Sequence, residues 1–310
     1  MRVLVIARCK NGSYAPFITE QVEAIRQKGV ECQYLAVTGD GIWGYLRQLP
    51  LLKKTIHEFC PDIIHAHYGL CGLLANFQRR VPVVTTYHGS DINDPKVLRL
   101  SSIAIKWSHF NIFVSQNLIN IARPEKEYVL LPCGVCLEDY PLIDKAEARR
   151  RMTLLPDKKY VLFAGAFDNR VKNVSLAEDS IKLLPETKLL ELKGYNRQQV
   201  ATLMQAVDAL IMTSFSEGSP QVIKEALACG CPLVSVDVGD VKDLTKGVDG
   251  CFIAERNPHD IASKLRLALS FGHRTSGRNS ILKRCLTNDI IADRIIDIYN
   301  LLLHPSVYHR

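Results

Sequence analysis

The chain has 310 residues, 47% hydrophobic and 23% charged, and a formal net charge of +7. This composition excludes a disordered chain and supplies enough apolar material for two domains with separate cores. No run approaches the roughly 20 uninterrupted apolar residues of a spanning helix, the ten cysteines follow no disulfide spacing, and the basic residues are not interleaved with aromatics as in a nucleic-acid surface.

The chain opens on a short apolar run, residues 3–7, that reads as a first strand without a signal-peptide cleavage pattern, so a cytoplasmic protein is expected. The loop after it holds one glycine, Gly12, before a helical pattern ending at Gly29. A dinucleotide fingerprint needs three spaced glycines, so Gly12 is either a close-approach point for a ligand or part of a plain turn. Further apolar runs at 31–37, 62–65, 81–87, 111–114 and 128–131 complete a first series of strands, with helical patterns between them. The segment 41–54, with Trp43, Tyr45, Leu51, Lys53 and Lys54, reads either as a membrane-interfacial stretch or as a core helix whose lysines face water.

His65 and His67 follow the third strand, and Thr86-Tyr87-His88-Gly89-Ser90-Asp91 follows the fourth. His65, His67, His88 and Asp91 could therefore ligate zinc in a metal-dependent hydrolase, or line a polar site. Cys133-Gly134-Val135-Cys136 lacks the second pair that zinc would require and reads as structural. The polar stretch 144–159, with Arg149, Arg150 and Arg151, marks the expected domain boundary near residue 155.

A second series of strands follows at 160–165, 188–192, 209–213, 232–236 and 251–254. Strand and helix alternate throughout, which predicts an α/β protein of two Rossmann-like doubly wound domains. Residues 1–155 form the first, 156–288 the second, and a terminal helical segment, 289–310, packs back on the first. Ligands of such sheets gather beyond the carboxyl ends of the strands, so the loops there hold the candidates. After the first strand of the second series come Gly165, Arg170 and Lys172. A cation close to a helix start opposes the helix dipole, and an anionic ligand explains Lys172 better than helix stability does. After the strand at 209–213 comes Glu217-Gly218-Ser219-Pro220, with Glu225 inside the helix that follows and Gly230 at its stop. Ser219 reads as N-cap and Pro220 as first helical residue, aiming free N–H groups at the space beside Glu217.

These loops resemble those of the retaining glycosyltransferases of the GT-B fold, family 4. Five motifs carry the resemblance, in family order: Asp62 through His67; Thr86 through Asp91; Gly165 through Asn173; Glu217 and Glu225 with the run Ala228 through Val234; and Val248 through Ile253. The resemblance implies two domains facing across a cleft and transfer of a hexose from a nucleotide-diphosphate sugar to a glycan or lipid-linked acceptor in surface-polysaccharide synthesis. It places Glu225 on the donor's ribose, Glu217 and the backbone after Gly218 on the hexose, and His88 beside the reacting sugar. Lys172 and the helix start at Ser219 and Pro220 would hold the diphosphate, with no metal and no cofactor. Where the family has arginine after the phosphate-loop glycine, Ala166 follows Gly165, and Arg170 would compensate. Peripheral contact with the inner face of the membrane fits such an acceptor. A nucleotide-sugar epimerase of the same fold is the other alternative, distinguished by forming product without an acceptor.

Overall fold

The computed structural model describes residues 1–39 and 41–304, so residues 305–310 of the expected terminal segment lie outside the described residues. The chain divides into two compact units, Met1–Gly134 with the terminal residues from Asn288 onward, and Val135–Thr287.

The first unit holds a six-stranded sheet: β1 (Arg2–Arg8), β2 (Glu31–Val37), β3 (Ile63–His67), β4 (Val83–Tyr87), β5 (Phe110–Phe113) and β6 (Tyr128–Leu130). Its order is β2-β1-β3-β4-β5-β6, and every pairing is parallel. β3 and β4 are buried at every residue, their histidines and threonines included, as central strands of a parallel sheet covered on both faces should be. The helix Pro16–Gln27 turns Ile18, Val22 and Ile25 inward at helical spacing. The terminal helix Asn288–Leu303 belongs to this unit and packs on Pro16–Gln27. Its Asp289 and Asp293 both pair with Lys28, and Tyr299 is fully buried against His65.

The second unit is built on β7 (Lys159–Phe163), β8 (Thr187–Glu191), β9 (Ala209–Met212), β10 (Leu233–Val236) and β11 (Cys251–Ala254), all parallel, in the order β11-β10-β9-β7-β8. Both sheets are doubly wound. Chain order reverses between β1 and β3 in the first and between β7 and β9 in the second, and such reversals open a crevice at the strands' carboxyl ends.

The division falls at Gly134, not at residue 155. The charged stretch that reads as a linker holds the helix Lys145–Arg151, and one of its three arginines is internal. Arg149 is buried: its Nη2 lies 2.9 Å from Asp208 Oδ2, and its Nε donates to the Ala206 carbonyl. Arg150 and Arg151 stay exposed on Glu147. Arg278 donates to the carbonyls of Leu137 and Tyr140, tying residues 135–155 to the second unit. Cys133 and Cys136 lie on either side of the crossing, and all ten cysteines are free thiols. Among the described residues no helix is long and apolar enough to cross a membrane.

Candidate active site

In the second unit the candidate residues gather at the reversal between β7 and β9. Lys172 ends a short helical turn, Arg170–Lys172, in the loop after β7, and Glu217 lies in the loop after β9. Lys172 Nζ donates to Glu217 Oε1 at 2.7 Å, with both side chains largely shielded. The lysine reaches it by lying across Gly165, where a Cβ would stand 2.9 Å from Lys172 Cγ. Thr213 fixes the turn from the end of β9, donating to the carbonyls of Lys172 and Asn173. Arg170 is exposed at the start of the same turn.

The helix after Glu217 runs from Gln221 to Ala228, with Pro220 as its N-cap. Ser219 does not cap it as the sequence suggested, because its hydroxyl donates instead to Asp240 Oδ2 at 2.6 Å. The Gly218 carbonyl packs on Gly239, where any side chain would meet it at 2.5 Å. Gly218, Ser219 and Pro220 are thus braced from behind by the turn after β10. Glu225 lies on the helix one turn further on, and burial raises its carboxyl pKa against the opposing pull of the Tyr140 hydroxyl, Arg197 and Lys224. Arg197 donates to the Tyr140 hydroxyl at 3.1 Å, so Glu225, Tyr140 and Arg197 form one polar chain.

Several of these supports are invisible to motif reading. Tyr140 and Arg197 are remote in sequence and carry no local signature. Arg256 donates to the carbonyls of Thr213 and Phe215 and holds the β9 loop. Lys224 is fully buried beside Glu225. A lysine among Val222, Ile223, Ala226 and Leu227 was the available signal, since lysine is almost never fully buried unless paired.

Asp240 gives this region a pH signature. Burial pushes its carboxyl up to about 6 from an ordinary 3.8, against Lys224 and the Ser219 hydroxyl, which favour the charged form. Between about pH 4 and pH 6 the native chain therefore holds a proton that the unfolded chain has lost, and this group's contribution to stability falls as pH rises. Asp240→Asn should remove roughly 3 kcal/mol of that decline. Urea midpoints across the window measure it, and an unchanged slope would refute the assignment. Asp91, also pushed up to about 6 by burial, keeps its own share of the decline in the variant.

In the first unit Gly12 forms a two-residue turn with Asn11. Lys10 and Ser13 exchange backbone hydrogen bonds across it, and both turn residues have positive φ, 52° and 77°, which suits an Asn-Gly turn. No atom lies within 4 Å of a Cβ built at Gly12, so the turn geometry, not packing within the chain, requires the glycine.

His88 follows β4. Its ring is packed between Phe17 and Tyr68, with centroids 4.9 and 4.8 Å away, and its Nε2 lies 3.0 Å from His67 Nδ1. The zinc-hydrolase alternative finds no ligand set here. His65 has both ring nitrogens engaged, on Tyr299 and Thr86. Asp91 collects the backbone N–H groups of Gly69, His88 and Gly89 and so fixes the loop instead of facing a metal. Among the described residues no group of three His, Cys, Asp or Glu side chains is arranged to hold a metal ion.

Residues 3–139 match the family profile described as Glycosyltransferase Family 4, and residues 161–270 match that described as Glycosyl transferases group 1. A Bacillus subtilis protein named as a teichuronic acid biosynthesis glycosyltransferase, TuaC, is 27% identical over 245 residues, 68% of this chain and 63% of that protein, less than two thirds of its length. An Escherichia coli protein named UDP-Gal:alpha-D-GlcNAc-diphosphoundecaprenol alpha-1,3-galactosyltransferase is 24% identical over 265 residues, 69% of this chain and 68% of its own. The structure of sucrose-phosphate synthase from Thermosynechococcus elongatus superposes with a TM-score of 0.86 at 15% identity, covering 98% of this chain and all of that one. Two parallel-sheet units, the motifs at their strand ends and matches to both family profiles agree: the chain belongs to the glycosyltransferases of family 4 and group 1 and has the GT-B fold.

Proposed function

We propose that this protein is a retaining glycosyltransferase that moves a hexose from a nucleotide-diphosphate sugar to a glycan or lipid-linked acceptor in surface-polysaccharide synthesis. The observation that carries this reading is the convergence of Lys172 and Glu217 from two loops at the sheet's order reversal, ahead of the helix start at Gln221. A cation and free helix N–H groups suit a diphosphate. The carboxylates of Glu217 and Glu225 suit hexose and ribose hydroxyls. The names of the Bacillus and Escherichia relatives support the polysaccharide setting, the nucleotide-sugar donor and the lipid-linked acceptor.

In the reaction so proposed, the bond from the anomeric carbon to the diphosphate oxygen breaks and a new bond to the acceptor oxygen forms on the same face. The acceptor's hydroxyl proton leaves with the departing phosphate, so no side chain serves as base. Lys172 stabilises the charge that develops on the leaving group, and the start of the helix at Gln221 adds to it. Such a site needs no metal, and activity retained in chelator is the expected result. His88 is the first unit's candidate for contact with a sugar.

Trp43, 73% exposed, and Leu51, 47% exposed, share the segment 41–54 with the exposed cations Lys53 and Lys54. Tyr45 and Leu52 of the same segment are core residues, so this stretch is a core element with an apolar and basic outer edge. That edge fits the surface of an anionic membrane carrying the acceptor.

The test is thermal stabilisation by a panel of nucleotide sugars. A donor present at about 100 times its Kd should add roughly 2.7 kcal/mol. Glu225→Gln should weaken that donor's affinity by about 10- to 100-fold, the worth of a hydrogen bond to a charged group. Stabilisation by none of the panel, or undiminished affinity in the variant, would overturn the reading.

A further inference from the structure

His65, His67 and His88 form a column of stacked rings. His65 and His67 have centroids 4.6 Å apart, His67 and His88 5.3 Å, and both pairs lie within 19° of coplanar. His65 anchors the column. The Tyr299 hydroxyl lies 2.6 Å from its Nδ1 and the Thr86 hydroxyl 2.8 Å from its Nε2. His67 is fully buried, with Nδ1 3.0 Å from His88 Nε2, while its own Nε2 is buried with no hydrogen-bond partner.

Burial, with His65 and His88 close by, holds His67 neutral, its pKa well below the usual histidine range. A neutral imidazole carries one proton, on one nitrogen. On Nε2 that proton would be an N–H buried without an acceptor, and orphaned buried N–H groups are rarer than under-satisfied acceptors. The proton therefore belongs on Nδ1, where it donates to His88 Nε2. His88 Nε2 is then an acceptor, and the proton of the neutral His88 ring must sit on Nδ1.

We propose that His67 is a positioning residue that holds His88 as its Nδ1–H tautomer, so that His88 meets a sugar oxygen as a hydrogen-bond donor. Its Nδ1 lies 3.8 Å from the Cys133 sulfur. Sulfur is a weak acceptor, which an oxygen of a bound sugar replaces. With its Nε2 lone pair occupied by His67, His88 does not take a proton from the acceptor hydroxyl, in keeping with proton transfer to the leaving phosphate. The role of this donor rests on the glycosyl-transfer reading. The tautomer itself does not.

The experiment is two-bond proton–nitrogen correlation of the full chain labelled with nitrogen-15 histidine, at neutral pH, with the His88 signals assigned by their loss in His88→Gln. The expected pattern has a protonated Nδ1 and a bare Nε2 on His88. His67→Phe, which keeps the ring and removes the donor, should return His88 to a mixture of tautomers, and His67→Asn, whose side-chain amide can donate from the same place, should preserve the Nδ1–H form. A wild-type His88 protonated on Nε2, or an Nδ1–H form unchanged in His67→Phe, overturns the proposal. Should His67→Phe not fold, the wild-type and His67→Asn spectra still decide it. Failure of every nucleotide sugar to bind would strike the transferase reading and leave this result standing.

Discussion

Lys172→Ala is expected to lower turnover on the nucleotide-sugar donor by about 100- to 1,000-fold, the usual cost of removing one preorganised contact to charge that develops in the transition state. The ammonium is held at 2.7 Å by Glu217 and lies across the backbone of Gly165, so little reorganisation is needed when a diphosphate arrives. Before then Glu217 balances the charge. In the proposed reaction, the greater negative charge of a bound diphosphate competes for the same ammonium and leaves Glu217 to the sugar hydroxyls. Arg170 starts the same turn but is exposed to solvent, and Arg170→Ala should cost about tenfold or less, as a charge screened by water. Steady-state rates of the two variants on one donor make the comparison. A loss below about threefold at Lys172, or a larger loss at Arg170 than at Lys172, would remove Lys172 from the role of leaving-group cation.

Asp208→Ala should destabilise the protein by about 3–5 kcal/mol, the cost of stranding a buried charge without its counter-ion. Asp208 Oδ2 accepts from Arg149 Nη2 at 2.9 Å and from the Tyr160 backbone N–H at 2.8 Å, while Oδ1 accepts from Lys145 at 2.7 Å. Its side chain is 5% exposed and that of Arg149 10%. The variant leaves a guanidinium inside the second unit with carbonyl partners only. Replacing both residues, as Arg149→Met with Asp208→Ala, should recover much of the loss, because two well-packed apolar groups often match a buried ion pair. Urea denaturation of the two variants beside the wild type tests this. A single-variant loss below about 1 kcal/mol would show that the pair is solvated and does not hold residues 135–155 to the unit.

The sheets were legible because most strands are short, mainly apolar runs and the central ones are buried on both faces, a pattern that depends on neighbours of no particular identity. All eleven strands lie where those runs are, with ends shifted by a residue or two. The helix from Asn288 was legible by its period, and Glu217 and Glu225 were placed on loop and helix by the proline and glycine that bound them. Polar residues were less legible, because their partners are set by tertiary structure. Arg149 looked like linker charge and is an internal anchor. Ser219 had the chemistry of a cap, but Asp240, 21 residues later, offered a better acceptor. Gly12 was open between ligand approach and a plain turn, and the Asn11-Gly12 pair was the signal for the turn. The histidines were legible as a cluster but not as a stack, since the alternation along β3 does not say which ring nitrogen finds a partner across the sheet.

The first unit is assembled from both ends of the chain, while the second is one continuous stretch. During synthesis residues 135–287 can complete their fold as soon as they leave the ribosome. The earlier-made sheet must wait with the flank of Pro16–Gln27 uncovered, and with no hydroxyl on His65 Nδ1, until the segment carrying Tyr299 emerges. A nascent chain halted at residue 287 would thus hold every residue of the second unit and still present that bare flank to chaperones.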